Sequence, residues 1–453
     1  MRTIGRETFL PSFSLRKIFL AMKYSCDNYQ FLTLRKYTKV FFIESLFLLL
    51  LFSCSIASAK GRKIDGNKET IGSTENLTTG TIEDAKKESI QKLKLAIERT
   101  DLYLDTLRNK RVGVVSNQTG MIGTTHLVDT LIASGINVVK VFAPEHGFRG
   151  KASAGEHVSS SYDVKTGLPI MSLYGKTKKP SLEMMEGVDI MVFDIQDVGI
   201  RFYTYISTLH YVMEACAEAN IPLVVLDRPN PNGHYVDGPV LDMEYSSFVG
   251  MHPVPIVYGM TIGEYGQMIN GEKWLNNGVE CKLMVIPLKN YSRKMTYELP
   301  IPPSPNLRTN TAIYLYPSLC FFEGTSVSVG RGTETPFEVY GHPNFPETGF
   351  SFTPTSQEGA SDPLWGNQLC NGYNLMDDAN RKPTKLNLSY FINAYSLLKG
   401  QEFITNASFL NLLVGNNQLV AQLDAGMTQK EIRATWQTNL VEFKIIREKY
   451  LIY

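Results

Sequence analysis

The sequence has 453 residues, of which 43% are hydrophobic and 20% charged, and its formal net charge is +1. This composition is that of a globular protein and excludes a mainly disordered or fibrous chain, while the length favours two domains because one hydrophobic core seldom organises so many residues. The balanced charge gives no electrostatic reason to expect nucleic acid as a partner.

Residues 1–59 are predicted to be an export leader. Their apolar run, Ser45–Phe52, follows a basic stretch and is shorter than the ~20 residues that cross a bilayer, which is typical of a signal peptide. Two cleavage sites fit this segment: Leu51–Cys54 resembles a lipoprotein box whose cysteine is acylated, and Ala57–Ala59 is a small-x-small site. We favour a lipid anchor at Cys54 and expect an exported protein, either periplasmic or anchored to the membrane as a lipoprotein.

Residues 60–84 are rich in Lys, Gly, Thr, Asn and Ser and poor in aliphatic side chains, which predicts a flexible tether. Two domains are expected to follow, at residues 85–262 and 263–453. Their cysteines match no zinc-ligand spacing, and we expect buried free thiols rather than disulfide bridges at Cys216, Cys281, Cys320 and Cys370.

Strand-like and helix-like segments alternate in residues 85–262. Apolar residues at helical spacing predict an amphipathic helix at Ile90–Leu107. The later strands are predicted at Arg111–Ser116, Val138–Phe142, Ile170–Leu173, Ile190–Ile195 and Leu223–Leu226, and the helices at His126–Ala133, Leu182–Glu186 and Phe202–Ala219. Strands without polar alternation are typical of burial on both faces, and helical crossovers imply a parallel sheet. We therefore predict a doubly wound α/β domain.

Residues 263–453 mix short strands, such as Lys282–Ile286, with long loops, and they end in a helix-like tail at Lys430–Tyr450. This pattern predicts a smaller α+β domain. Three segments are rich in Pro, Gly and charged residues, and they either shape turns or form ligand loops. They are Pro302–Arg308, Phe322–Thr325 and Gly330–Glu334. A cleft between the two domains is the expected place for a substrate.

Polar residues follow four of the predicted strands. Because ligands of open α/β sheets bind at the carboxyl ends of the strands, these side chains are expected to converge on one rim. They include Asn117, Glu145, His146, Asp194, Asp197, Asp227 and Arg228.

The carboxylates of this rim indicate acid–base chemistry, and glycoside cleavage is a reaction that needs such groups. We expect no nucleotide cofactor, because Gly-x-Gly-x-x-Gly does not follow the first strand, and no metal centre, because the seven histidines are dispersed. A metal-dependent carbohydrate deacetylase or phosphoesterase remains an alternative, with ligands from Asp194, Asp197, Asp227 and His146.

Five motifs, in order along the chain, resemble those of the bacterial exo-β-N-acetylmuramidase family. They are Phe142–Gly147, Asp194–Tyr205, Leu226–Gly233, Pro305–Arg308 and Phe322–Thr325. The similarity extends from about Asp105 to Tyr453. It implies a Rossmann-like catalytic domain followed by an auxiliary domain, and an enzyme that releases N-acetylmuramic acid from the non-reducing ends of peptidoglycan fragments.

The resemblance also implies roles for individual residues. Glu145, in the Pro-Glu-His-Gly motif, is the family's leading catalytic candidate. For the second catalytic group, the carboxylates of the predicted rim offer Asp194 and Asp197. The predicted substrate-binding residues are Asn117, His146, Arg201, Tyr203, Tyr205, Asp227, Arg228, Asn306, Arg308, Glu323 and Arg331.

The lactyl carboxylate of N-acetylmuramic acid needs a cationic partner, and a guanidinium binds carboxylates through two hydrogen bonds. The sequence does not rank the four candidates, Arg201, Arg228, Arg308 and Arg331. It also leaves open the oligomeric state, and a non-catalytic peptidoglycan-binding lipoprotein remains the second alternative.

Overall fold

A seven-stranded sheet lies at the centre of the fold. The structure, a computed structural model, describes residues 92–145, 147–148, 161–377 and 382–453. These residues belong to one unit, Glu88–Tyr453, and the predicted leader and tether lie outside the described residues. The domain boundary between residues 262 and 263 stays a prediction.

The strands vary from two to seven residues in length. They are β1 (Arg111–Ser116), β2 (Met121–Ile122), β3 (Thr125–His126), β4 (Asn137–Ala143), β5 (Ser161–Tyr162), β6 (Pro169–Ser172), β7 (Ile190–Asp194), β8 (Leu223–Leu226), β9 (Asp237–Val240), β10 (Pro255–Val257), β11 (Leu283–Ile286), β12 (Val339–His342), β13 (Ser351–Phe352) and β14 (Cys370–Asn374).

The α-helices are short, apart from two that exceed ten residues. They are α1 (Leu104–Leu107), α2 (Leu127–Ala133), α3 (Leu182–Met185), α4 (Tyr205–Glu218), α5 (Ile262–Gly271), α6 (Asn310–Leu319), α7 (Ser389–Leu397), α8 (Ala407–Val414), α9 (Gln418–Asp424), α10 (Gln429–Ala434) and α11 (Gln437–Glu448). Single 3-10 turns occur at Ala96–Glu98, Thr100–Leu102, Met243–Tyr245, Asn276–Gly278 and Cys320–Gly324.

The central sheet has the strand order β11-β8-β7-β1-β4-β6-β5. Its neighbouring strands are parallel, except for the antiparallel edge pair β5 and β6. The chain runs outwards from β1 through β4 and β6, then returns to the other side of β1 for β7, β8 and β11. The predicted α/β fold with a mainly parallel sheet is confirmed. Smaller antiparallel sheets pair β2 with β3, β9 with β10, and β14 with both β12 and β13.

The central sheet is buried on both faces. Val114 and Val192 belong to one hydrophobic cluster, whereas the next residue of each strand, Val115 or Phe193, belongs to another. This alternation follows from strand geometry, because successive side chains point to opposite faces. Helix α2 contributes to the first cluster, and helices α4 and α5 contribute to the second. The continuous apolar runs of the sequence are therefore strands covered on both faces.

Several predicted elements are confirmed and two are not. The bounds of β1 and β8 are those predicted. The predicted tail helix is interrupted, because α10 ends at Ala434 and α11 begins at Gln437. The predicted helix Ile90–Leu107 is wrong over its described part, which forms two 3-10 turns followed by α1.

Tertiary contacts explain why helical spacing fails in this amino-terminal segment. Lys94 pairs with Lys289 through two backbone hydrogen bonds, which requires extended backbone there. The hydroxyl of Tyr103 donates to the carbonyl oxygen of Ile97 at 2.8 Å, and both residues are fully buried. Packing against the sheet thus overrides the weak helical preference of the sequence.

The four cysteines predicted to be free thiols, Cys216, Cys281, Cys320 and Cys370, are buried and unbridged, as expected. Burial raises the pKa of each thiol, which keeps it protonated. Within the part of the chain that the structure describes, none of the helices has the length and apolar character needed to span a bilayer.

Tyr453 joins the segments that follow β8 and β11. Its hydroxyl donates to Asp227 Oδ2 at 2.8 Å and accepts from the backbone N–H of Leu288 at 2.7 Å. Asp227 is fully buried and also accepts from Thr261 and the N–H of Gly263. Burial raises the pKa of Asp227 to about 7. The charged form of this carboxyl group therefore depends on its hydrogen-bond donors for stabilisation.

We expect Tyr453→Phe to lower the free energy of unfolding by about 1–3 kcal/mol, because it removes one donor from buried Asp227 and the acceptor of the Leu288 N–H. Chemical denaturation measures the loss. Tyr395→Phe is the control, since that hydroxyl donates to Asp424 at an exposed site, and its effect should stay within about 0.5 kcal/mol. Equal losses in the two variants would contradict the anchoring role of Tyr453.

Candidate active site

A cavity of about 590 Å³ is lined by residues from distant parts of the sequence. Glu145, Tyr203 and Thr204 come from the carboxyl-end side of the central sheet. Asn306, Glu323 and Arg331 come from the later loops. The cavity therefore brings together five of the residues predicted from sequence, namely Glu145, Tyr203, Asn306, Glu323 and Arg331.

Glu145 lies two residues after the end of β4 and is half-buried. Thr204 Oγ1 donates to Glu145 Oε2 at 2.9 Å. Thr204 is the N-cap residue of α4, yet its side chain makes no capping bond to that helix. Its hydroxyl binds the carboxyl group of Glu145 instead, so the end of a strand and the start of a helix together fix this group at the cavity wall.

Aromatic rings form a continuous row along the cavity. Phe202 contacts Tyr316 edge to face at 5.3 Å between ring centroids, and Tyr316 contacts Phe337 in the same way at 5.0 Å. The guanidinium of Arg331 lies over the ring of Phe337, 5.0 Å from its centroid. The row thus leads from the segment beside Thr204 to Arg331, and such edge-to-face pairs are favourable aromatic geometries.

An ion pair between Glu323 and Arg331 forms another part of the wall. Arg331 contacts Glu323 Oε1 through Nε at 2.8 Å and Nη2 at 2.5 Å. The thiol of Cys320 lies 3.5 Å from Glu323 Oε2. Both charged side chains keep about a quarter of their surface exposed, 23% for Glu323 and 27% for Arg331. The pair is therefore fixed by its neighbours and still accessible from the cavity.

Two glycines shape the turn that carries Arg331. Gly330 and Gly332 have φ angles of 77° and 83°, a left-handed conformation that L side chains rarely adopt. A Cβ atom at Gly330 would also lie 2.5 Å from Val339 Cγ2. The Gly-Arg-Gly sequence is consequently a conformational requirement of this part of the wall.

Asn306 joins two loops of the cavity. Its Nδ2 donates to the carbonyl oxygen of Gly359 at 2.7 Å, and its backbone N–H donates to Ser304 Oγ at 3.2 Å. Asn306 is buried, with 2% of its surface exposed. It therefore holds the segment around Ser304 against residues 359–364, which also line the cavity.

Two buried tyrosines support the same loop. Tyr203 and Tyr205 donate to the carbonyl oxygen of Pro303 at 2.9 and 3.1 Å, and Asn117 Nδ2 donates to the hydroxyl of Tyr205 at 2.9 Å. Burial raises the pKa of both tyrosines, and the nearby Glu145 carboxylate adds to the rise for Tyr205. Both hydroxyls therefore stay protonated and act as donors. Asn117 and Tyr205 support the wall without lining the cavity.

Asp194, Asp197 and Asp227 are buried and do not line the cavity. Asp194 accepts two hydrogen bonds from Arg228, at 2.7 and 2.8 Å. Asp197 accepts from the Tyr258 hydroxyl and from the N–H of Gly199, and burial raises its pKa to about 6. The catalytic roles of Asp194 and Asp197 stay predictions, and in the structure their carboxyl groups bind protein donors.

The four arginines considered for the lactyl carboxylate have different environments. Arg228 is buried against Asp194. Arg308 donates to the carbonyl oxygen of Pro305 and lies in a neighbouring pocket of about 450 Å³. Arg331 lines the cavity. Arg201 is fully buried, and burial lowers its pKa to about 9; its guanidinium donates to the carbonyl oxygens of Pro239, Val254, Leu413 and Val414. His146 lies outside the described residues.

Within residues 92–145, 147–148, 161–377 and 382–453, no group of three or more His, Cys, Asp or Glu side chains is arranged to hold a metal ion. The three aspartates of the alternative metal site bind Arg228, Tyr258 and Tyr453 instead. Each of these carboxyl groups therefore accepts hydrogen bonds from protein donors.

Thr204, Tyr316 and residues 359–364 line the cavity and were not among the site residues predicted from the sequence. Thr204 stands inside the Asp194–Tyr205 motif, so its position beside two tyrosines was a usable signal. Residues 359–364 reach the cavity through the Asn306–Gly359 hydrogen bond between segments 53 residues apart. No local pattern in the sequence predicts such a contact.

Two family models match the chain in succession. The model described as exo-β-N-acetylmuramidase NamZ, N-terminal, matches residues 112–311. The model described as exo-β-N-acetylmuramidase NamZ, C-terminal, matches residues 314–453. Together they cover the central sheet, Glu145 and the Glu323–Arg331 pair.

Individual relatives agree with this result. The chain is 39% identical over 402 residues to peptidoglycan β-N-acetylmuramidase NamZ from Bacillus subtilis. The match covers 82% of this chain and 94% of that relative. Two crystal structures of DUF1343 family proteins from Bacteroides fragilis are 48% and 28% identical, with TM-scores of 0.73 and 0.70, and each match covers 80% of this chain and 99% of the other. The chain belongs to the exo-β-N-acetylmuramidase NamZ family.

Proposed function

We propose that this protein is an exo-acting β-N-acetylmuramidase, a glycoside hydrolase that releases N-acetylmuramic acid from the non-reducing end of peptidoglycan fragments. Family membership carries the proposal, since both NamZ models match and a relative of 39% identity is a peptidoglycan β-N-acetylmuramidase. The cavity supports it, because Glu145 of the resembling motif lies at its wall.

The lining of the cavity suits a sugar ligand. Its volume of about 590 Å³ lies within the usual range of small-molecule sites. Aromatic rings at Phe202, Tyr316 and Phe337 offer apolar surface, while Asn306 and the Glu323–Arg331 pair offer polar groups. A few polar groups on an aromatic wall are what binding and orienting a sugar ring require.

Glu145 is proposed as the general acid. It donates its proton to the departing glycosidic oxygen while the bond from the anomeric carbon to that oxygen breaks. The Thr204 hydroxyl binds Oε2 and so restricts the orientation of the carboxyl group. The proposed hydrolysis consumes water and requires no cofactor.

We place this site on a doubly wound, Rossmann-like catalytic domain followed by a smaller auxiliary domain. Counted along the chain, the six parallel strands lie in the order 3-2-1-4-5-6, the order of that fold. Ligands of such sheets bind outside the carboxyl ends of the strands, and Glu145 follows the carboxyl end of β4. The second family model supports a separate auxiliary part.

We further propose that the protein is exported and anchored through an acylated Cys54. The support is the sequence of residues 1–59, in which a basic stretch and a short apolar run precede Leu51–Cys54. A substrate derived from the cell wall is consistent with such a location.

Cys54→Ala should move the full-length protein from the membrane fraction to the soluble fraction, because the acyl acceptor is lost. Fractionation of cells followed by immunoblotting measures the shift. Ser53→Ala is the control, since it leaves Cys54 in place. Unchanged fractionation of Cys54→Ala would contradict the lipid anchor and favour cleavage after Ala59 or an uncleaved leader.

The protein lacking residues 1–59 should release free N-acetylmuramic acid from a disaccharide of N-acetylmuramic acid and N-acetylglucosamine, with the muramic acid at the non-reducing end and no metal added. A glucosaminide with N-acetylglucosamine at that end should remain intact, because it lacks the lactyl carboxylate. Mass analysis of the products measures both reactions. Cleavage of the two substrates at similar rates would refute the proposed specificity.

Glu145→Gln should reduce kcat about 10²–10⁴-fold with little change in melting temperature, because glutamine keeps the size and hydrogen bonding of the side chain and lacks the proton. Initial rates on the muramyl disaccharide and thermal unfolding provide the two readouts.

Glu272→Gln is the matched control for this variant. Glu272 is also half-buried and accepts a hydroxyl hydrogen bond, from Tyr450 at 2.6 Å, but it does not line the cavity. Its turnover should equal that of the wild type. Retention of more than about a tenth of wild-type kcat by Glu145→Gln would exclude Glu145 as the general acid.

A further inference from the structure

We propose that Glu323, which is bound by Arg331, is the second catalytic carboxylate of the reaction and accepts the proton of the attacking water. This inference rests on the proposed function. It gives Glu323 a chemical role and assigns Arg331 as the residue that positions it.

Few carboxyl groups line the cavity in the described part of the chain. Among the described residues, the carboxyl-bearing side chains that line the cavity are Glu145, Glu323 and Asp362. Asp194 and Asp197 do not line it. Asp362 is exposed, whereas both oxygens of Glu323 are held by Arg331 and Cys320. Glu323 is thus the second carboxyl group of the cavity with a fixed geometry.

Each of the two glutamates is bound by a described side chain of the cavity wall. Glu145 accepts a hydrogen bond from the neutral hydroxyl of Thr204. Glu323 accepts two contacts from the guanidinium of Arg331, and a neighbouring cation stabilises the charged form of a carboxyl group. Most glycosidases use one carboxylic acid and one carboxylate. The contacts from Arg331 therefore favour Glu323 for the role of the carboxylate.

Neighbouring groups reinforce this assignment. Burial, followed by the charges of Cys320 and Glu323, raises the pKa of the Tyr316 hydroxyl, so Tyr316 stays neutral beside the pair. The guanidinium of Arg331 lies over the ring of Phe337, and the two flanking glycines allow the turn that carries it. The guanidinium therefore keeps its contact with Glu323 while the carboxylate remains partly exposed to the cavity.

The chemical step balances with one water molecule. Glu145 donates its proton to the departing oxygen as the bond to the anomeric carbon breaks, and the oxygen of water bonds to that carbon. Glu323 accepts one proton of the water, and the other stays on the new hydroxyl of N-acetylmuramic acid. Return of the proton from Glu323 to Glu145 through solvent restores the starting state.

The test is replacement of the base by azide, a nucleophile without a proton to lose. Glu323→Ala should lower kcat about 10²–10⁴-fold on the muramyl disaccharide with little change in KM. Sodium azide should then raise the rate by about tenfold or more and give N-acetylmuramyl azide, which mass spectrometry detects. Azide should not restore Glu145→Ala, because the departing oxygen of the disaccharide still needs a proton.

Asp189→Ala is the matched control. Asp189 also binds an arginine through two contacts, from Arg111 Nε at 3.1 Å and Nη2 at 2.8 Å, but it does not line the cavity. Its rate should be that of the wild type and should not respond to azide. If Glu323→Ala fails to fold, Glu323→Ser takes its place in the same assay, because serine also leaves space for azide.

The outcomes separate this inference from the function on which it rests. Wild-type turnover by the folded Glu323 variant, or a loss of turnover that azide does not restore, overturns the role of Glu323 alone. Absence of hydrolysis by the wild-type protein overturns the proposed function and this inference together. An azide-dependent rate with an azide product supports both.

Discussion

The buried ion pair between Asp194 and Arg228 joins the carboxyl ends of β7 and β8, and the rim of the sheet depends on it. Both side chains are excluded from water and meet through two hydrogen bonds. Removing one partner of such a pair typically costs about 3–5 kcal/mol, because the other charge stays buried without compensation. Asp197 and Asp227 are likewise held by protein donors. Because these three carboxylates bind protein donors, they stabilise the rim from which Glu145 reaches the cavity.

The sequence predicted the fold where local pattern and tertiary structure agree. Runs of apolar residues gave the bounds of β1 and β8, because strands buried on both faces need no polar alternation. The expected helix Ile90–Leu107 failed because backbone pairing at Lys94 and the Tyr103 hydrogen bond impose another conformation. Such contacts join distant residues, and helical spacing within the segment carries no information about them.

The site was predictable in part, where its residues lie in recognisable sequence segments. Glu145, Glu323 and Arg331 were among the residues predicted from the sequence, and the structure brings them to one cavity. The sequence could not separate Glu145 from Asp194 or Asp197, because polar residues lie at the ends of both strands. Burial decides that the two aspartates bind protein donors. The contribution of residues 359–364 depends on loop packing, which has no signature in the sequence.

A crystal structure of the Glu145→Gln variant with bound muramyl disaccharide tests the central claim most directly. We expect the muramic acid ring to occupy the cavity, with the glycosidic oxygen beside residue 145 and the anomeric carbon facing Glu323. Binding in the neighbouring pocket that contains Arg308, with both glutamates away from the glycosidic bond, would contradict it.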